Sequence, residues 1–331
     1  DWFDCNNWQT LQVPDNTIDV SINNTFAIRD ADIDITSPLA SIYSNIAISN
    51  NIEITDRRLI IEANPNNRLD VFGNLTIGGT GVLDMDDNNN ATEDGTLNLY
   101  GNWTNNLTET AFEEGNGKVR FVGTTDQIIN NVAPFGTEVF YNVDIDNNFT
   151  TNISNNLIAT GNLEVYPSRT VTVNALNYIQ VNNNLTVNGT FNVLDDGSLI
   201  QVNDAGVNTG TISYQRNTVA NTNDYVYWSS PVNTVNTPSG FIYTWDADIL
   251  NSNGGEGNWV AAANVPMLSG VGYIMRNIFA RNFIGVPRNG VIQPAINRGT
   301  YTGPDYAGTN GITITRFSDN WNLVGNPYPS A

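Results

Sequence analysis

Apolar and polar residues alternate with a period of two along much of this chain. Ile18-Asp19-Val20-Ser21-Ile22, Leu97-Asn98-Leu99-Tyr100 and Val171-Thr172-Val173 each place apolar side chains on one face and polar ones on the other. Clusters of Asn, Asp and Gly separate these runs, and those residues favour tight turns and left-handed backbone. No long run repeats apolar residues at i, i+3, i+4 and i+7. The pattern predicts an all-β chain of many short strands.

A motif recurs through the first two-thirds: Asn, an apolar residue, a small polar or acidic residue, and usually a second apolar one. Copies are Asn51-Ile52-Glu53-Ile54, Asn74-Leu75-Thr76-Ile77, Asn162-Leu163-Glu164-Val165 and Asn184-Leu185-Thr186-Val187, with Asn102-Trp103-Thr104-Asn105 as a variant. Neighbouring copies lie 23, 28 and 22 residues apart, with one gap of 60 that has room for divergent copies. Periods of this length signal a solenoid, whose coils bury their apolar residues only by stacking. The pattern predicts that Ile54, Ile77, Val165 and Val187 occupy equivalent buried positions, and that the Asn residues stack at equivalent corners. An ordinary sandwich with hairpins of similar length is the alternative.

Near residue 210 the texture changes. Four of the seven tryptophans lie beyond it, and the Asn motif stops. Ile212-Ser213-Tyr214-Gln215-Arg216 followed by Trp228-Ser229-Ser230-Pro231 is echoed by Ile312-Thr313-Ile314-Thr315-Arg316 followed by Trp321 and Asn326-Pro327. In both, an alternating strand ends in Arg and leads to a Trp strand closed by Pro. The expected fold is a right-handed β-solenoid (β-helix) over 1–210 and a β-sandwich-like domain over 211–331, truncated at its C-terminal end.

Composition removes several functions. The net charge is −20, from 33 acids and 13 bases, and Lys118 is the one lysine. Nucleic-acid binding needs a basic footprint, as does attachment to anionic lipid, so neither is expected. The chain has no histidine, which excludes Ser-His-Asp and Cys-His catalysis and His-ligated zinc within it. Cys5 is a single cysteine, either buried or paired outside the chain. No stretch reaches the ~20 apolar residues of a membrane helix, so direct membrane insertion is not expected. The chain starts abruptly at Asp1-Trp2-Phe3 and stops within Asn326-Pro327-Tyr328-Pro329, and it reads as an internal fragment.

Trp2-Phe3-Asp4-Cys5-Asn6-Asn7-Trp8, the Asn-Leu-Thr-Val copies, Leu99-Tyr100-Gly101-Asn102-Trp103-Thr104 and Phe121-Val122-Gly123-Thr124-Thr125-Asp126-Gln127-Ile128-Ile129 resemble β-helical modules of Bacteroidetes surface proteins. Tyr227-Trp228-Ser229-Ser230-Pro231-Val232, Gly270-Val271-Gly272-Tyr273 and Trp321-Asn322-Leu323-Val324-Gly325-Asn326-Pro327-Tyr328-Pro329 are similar to the region before the sorting domain of large type IX secretion substrates. The resemblance spans nearly the whole chain. It implies a large flavobacterial cell-surface adhesin, of the kind that includes gliding-motility adhesins, displayed outside the outer membrane. Its implied partners are type IX secretion and outer-membrane anchoring components, reached through a C-terminal region absent here, and an extracellular surface or polysaccharide. No catalytic residues come with it.

Candidate chemistry is sparse. Asp84, Asp86, Asn88 and Asp94 offer hard oxygen ligands to calcium, though Asn89 stands where a calcium-binding hand has its turn glycine. A solvated turn between coils explains the same residues without an ion. Asp30, Asp32, Asp34, Asp144 and Asp146 alternate and read as outward faces of strands. The adjacent pairs Glu113-Glu114 and Asp195-Asp196 point to opposite faces of a strand, so neither converges on one substrate. The expectation is therefore a structural or adhesive protein rather than an enzyme. The alternative is a carbohydrate-binding module or a β-helix polysaccharide-degrading enzyme. Tyr243, Trp245, Trp259 and Tyr273 suit either a domain core or a sugar-stacking platform.

Overall fold

A computed structural model describes residues 1–331 apart from 24–29, 86–93, 132–135, 154, 251–255, 299–305, 308–312, 315–320 and 331. The chain divides into two units, Asp1–Ile212 and Ser213–Pro329. Strands dominate both, and the described helix is confined to short 3₁₀ turns such as Cys5–Asn7 and Ala40–Tyr43.

The first unit is a β-solenoid of about seven turns. Each coil lays one strand on each of three faces, and every strand pairs in parallel with its counterpart a coil away. The first face stacks Val20–Ile22, Ile52–Ile54, Leu75–Ile77, Trp103–Asn105, Gln127–Asn131, Thr150–Ile153, Thr170–Val173 and Thr190–Val193. The third face stacks Ala47–Ser49, Arg68–Val71, Thr96–Leu99, Lys118–Phe121, Asn142–Ile145, Leu163–Val165, Leu185–Val187 and Asn208–Thr209. The second face is broken. Ala31–Ile33, Arg58–Ile61, Val82–Asp84 and Phe112–Glu113 form one sheet, and Thr137–Phe140, Asn156–Ala159, Tyr178–Val181 and Ser198–Gln201 form another.

In-register stacking turns the alternation of each strand into apolar ladders. Ile52, Leu75 and Trp103 pair in sequence on the first face, as do Leu163 and Leu185 on the third, and all are buried. Trp103, Phe112, Phe121 and Phe140 meet as one aromatic cluster, with Phe140 5.0 Å from Trp103 and 5.9 Å from Phe121 between ring centres. At the chain start, Trp2 and Phe3 are buried, and the Trp2 N–H donates to the Asp32 carbonyl at 2.7 Å. The opening segment thereby shields the apolar end that a solenoid otherwise exposes.

Ile54, Ile77, Val165 and Val187 are all buried, as the repeat predicts, but they do not form one ladder. Ile54 and Ile77 stand on the first face, Val165 and Val187 on the third. The Asn motif therefore serves two different corners. In the early coils Asn51 Oδ1 accepts the Asn74 N–H and Asn74 Oδ1 accepts the Asn102 N–H, both at 2.8 Å, where the chain passes from third face to first. In the later coils Asn142, Asn162 and Asn184 do the same where it passes from second face to third. The 60-residue gap holds Gln127–Asn131 and Asn142–Ile145. Gly101, just before Asn102, is dictated by space: a Cβ there would lie 2.3 Å from the Gly73 carbonyl oxygen.

The second unit contains an antiparallel sheet in the order Tyr225–Trp228, Tyr273–Arg276, Ile242–Leu250, Glu256–Ala261. Its buried face carries Trp228, Ile242, Tyr273 and Met275. Phe283, on the strand Ala280–Gly285, lies 6.0 Å from Trp228, and Arg281 Nη1 reaches Met275 Sδ at 3.4 Å, so a second layer covers this face. The motifs of the tail come together here. The Gly272 N–H donates to Leu323, the Gly325 N–H donates to Gly270, and a Cβ on Gly325 would meet the Ser229 side chain. Of the Ile312–Arg316 echo, Thr313–Ile314 is a strand, and Ile312, Thr315 and Arg316 lie outside the described residues.

Candidate functional site

The outer side of the antiparallel sheet is an aromatic surface. Its rows follow from the strand register. Tyr225 pairs with Arg276, which hydrogen-bonds through its backbone to Phe241; Tyr227 pairs with Ile274, which pairs with Tyr243; Trp245 pairs with Trp259. Antiparallel alternation sends all of these to the side away from Met275 and Ile242. Tyr227 is 67% exposed, Phe241 58%, Tyr225 42% and Trp259 39%. Tyr243 and Trp245 are half-buried.

The rings brace one another. Trp245 and Trp259 meet edge to face at 5.2 Å, and Tyr225 and Tyr243 lie 6.3 Å apart. The Arg276 guanidinium sits 5.4 Å from the Phe241 ring and 6.0 Å from Tyr225. Gly257 has φ +90° and lies beneath the Trp245 ring, where any Cβ would collide with the indole. The Trp245 N–H and the Arg276 Nε–H are shielded from water and have no hydrogen-bond acceptor among the described residues. Rigid rings of this kind, with polar edges, suit recognition of a ligand that is apolar on its faces and wet at its rim.

Of the four aromatics singled out in the sequence, Tyr243, Trp245 and Trp259 thus belong to the open face. Only Tyr273 is core, with its hydroxyl accepting the Leu268 N–H at 2.9 Å. Tyr225, Tyr227, Phe241 and Arg276 complete the surface.

The third face of the solenoid presents a different chemistry. Its outward positions run Asp70, Asn98, Arg120, Asp144 and Glu164 in register. Arg68 clamps Asp70 through two bonds of 2.7 and 2.6 Å, and Asn98 donates to Asp70 at 2.8 Å. Asp144 faces Lys118 and Arg120, each at 3.4 Å. Asp146 takes Arg120 at 3.1 Å and Arg169 at 2.8 Å. Asp144 and Asp146 are outward, as the alternation predicts, yet Asp144 is almost covered, because Lys118 and Arg120 of the preceding coil close over it. The Tyr166 hydroxyl, 3.4 Å from Asp144, has its pKa raised by burial and then by Asp144 and Glu164. These acids are held as ion-pair acceptors.

The proposed calcium ligands are dispersed among other partners. Asp84 is bound by Arg58, which also holds Glu113 from the next coil. Burial opposes the Arg58 charge, and the two carboxylates more than offset that, so its pKa is raised. Asp94 accepts the Asn116 N–H at 2.5 Å. Asp86 and Asn88 lie outside the described residues, and among the described residues no group of three or more acidic, Cys or His side chains converges. Cys5 is half-buried and forms no disulfide.

One buried acid escaped the sequence reading. Glu138 heads the inward ladder Leu157, Ile179 and Leu199, at the coil where the second face breaks. Asn105 and Asn131, paired in register, donate to its two oxygens at 3.3 and 3.1 Å. Burial pushes its pKa up from 4.5 to about 7, against the pull of the Trp103, Asn105 and Asn131 donors.

The architecture defines a β-solenoid protein with an aromatic-faced antiparallel unit at its C-terminal side. The family described as "Domain of unknown function (DUF8693)" matches residues 130–331, more than half of the chain, and the chain belongs to that family. The match begins in the coil at which the second face breaks. No curated protein and no solved structure matches the chain.

Proposed function

We propose that this chain is a structural and adhesive segment of a large secreted cell-surface protein. The solenoid serves as a stiff spacer, and the aromatic face of the second unit makes contact with the target. The observation that carries this reading is that face: four exposed aromatic rings share one side of a sheet whose other side is a packed core. Contiguous exposed apolar surface of this kind marks interaction sites. The outward acids of the solenoid support a non-catalytic reading, since Asp70 and Asp144 are committed to Arg68, Lys118 and Arg120. The similarity of the 321–329 tail to type IX substrates supports export by that route to the outer surface.

The test uses antibodies against the chain on intact cells of the source bacterium, before and after inactivation of the type IX translocon. Surface labelling that disappears in the mutant, together with attachment of chain-coated beads to the natural substratum, is the expected result. Labelling only after lysis, or beads that attach no better than uncoated ones, would overturn the reading.

A further inference from the structure

We infer that the aromatic face binds an uncharged polysaccharide chain, with sugar rings stacked on Tyr227, Tyr243, Trp245 and Trp259 and hydroxyls hydrogen-bonded to the Arg276 guanidinium. This names the ligand of the adhesive surface and rests on that reading.

Three features select the ligand. The face is built mostly of flat rings: the aliphatic residues in the rows are Ile274, only 8% exposed, and the single methyl of Ala261, which pairs with Tyr243. A protein partner would be expected to meet aliphatic side chains as well, whereas the apolar face of a pyranose meets the electron-rich face of an aromatic ring. Second, the donors are single and fixed. Arg276 is held between Tyr225 and Phe241, so its guanidinium is a fixed donor group among the rings. Third, charge sets the class. A chain of net charge −20 repels polyuronates and sulfated glycans at a distance, and one guanidinium among the rings does not offset that. An uncharged chain pays no such penalty.

The experiment uses the full chain in affinity electrophoresis and pull-down. The probes are cellulose, chitin, soluble mixed-linkage β-glucan and α-mannan, with alginate and polygalacturonate as charged counterparts. The variants are Tyr227→Ala and Trp259→Ala, both at exposed positions, with Leu176→Ala on the solenoid as control, its side chain 85% exposed. Retention by at least one uncharged polysaccharide is expected, weakened about tenfold (~1.4 kcal/mol) by each aromatic variant and unchanged by the control. No retention by any of the uncharged probes, retention only by the charged ones, or retention indifferent to both variants would overturn the inference. Bead attachment abolished by protease treatment of the target would assign the face to a protein partner instead. Beads whose attachment survives both variants would remove this inference and place the adhesive contact elsewhere on the chain.

Discussion

The side-chain oxygen of Asn162 accepts the backbone N–H of Asn184 at 3.1 Å, one coil further along, while Asn162 takes its own N–H partner from Asn142. Each tight corner is thus fastened to the next by a neutral acceptor. Asn162→Ala should lower stability by about 0.5–1.5 kcal/mol, the net value of such a bond. Asn162→Asp should cost less, because Asp19 and Asp126 already fill this role for Asn51 and Thr150. Urea denaturation followed by circular dichroism measures both.

Close approach of coils makes one glycine indispensable and another replaceable. Gly101→Ala drives a methyl into the Gly73 carbonyl and should destabilise by about 1–3 kcal/mol. Gly78→Ala meets nothing nearer than Asn106 at 3.8 Å, and should be neutral or slightly stabilising through the unfolded state. Equal losses in the two variants would refute the packing argument.

Glu138 gives the solenoid a pH dependence of unusual sign. Its pKa is raised from 4.5 to about 7 in the folded chain, so the native state holds a proton that the unfolded state releases. Its contribution is complete below pH ~4.5 and is lost as pH rises to ~7, a change of about 3 kcal/mol. Glu138→Gln should flatten this decline between pH 5 and 7.5, its single amide oxygen keeping one of the two Asn contacts. Thermal melts across that range, compared with the parent chain, provide the check.

Phe140 bridges the break in the second face by touching Trp103, Phe112 and Phe121. Phe140→Ala should cost about 3–5 kcal/mol and change the Trp103 environment. A shift in tryptophan emission with early loss of structure in the middle coils, seen by hydrogen exchange, is the expected signature.

Asp84 is committed to Arg58, and Asp94 to the Asn116 backbone. Millimolar calcium, or its removal with a chelator, should therefore leave the unfolding midpoint unchanged. A midpoint that rises with calcium and loses this response in Asp84→Asn would show that an ion competes successfully with Arg58.

The strands and the coil length are legible in the chain because Ile, Leu and Val alternate and the Asn motif returns at each coil. The face is not. A glycine, a tight turn and an Asn oxygen aimed at the next coil are equally useful at either corner, so Asn74 and Asn162 look alike while serving different faces. Glu138 is invisible for the opposite reason: it occupies a ladder position where Leu157, Ile179 and Leu199 follow. The cover over Asp144 comes from Lys118, Arg120 and Tyr166, all more than twenty residues away or across a coil boundary. The aromatic face was half legible. Tyr243, Trp245 and Trp259 are conspicuous as a group, but only the pairing of Ile242 with Met275 fixes which side they share and separates Tyr273 from them.

The interchangeable corners have an evolutionary consequence. Asn162 and Asn184 play identical parts, so removing residues 162–183 would join Gly161 to an equivalent Asn and leave each ladder continuous. Duplicating the segment would do the same in reverse, adding about 4.8 Å of length per copy. Within either run of coils, then, the chain can lengthen or shorten in whole coils without breaking a ladder. Across the Glu138 coil it cannot, since a crossover there would part the buried carboxylate from its Asn105 and Asn131 donors. Length variation among relatives should therefore accumulate on either side of that coil and spare the coil itself.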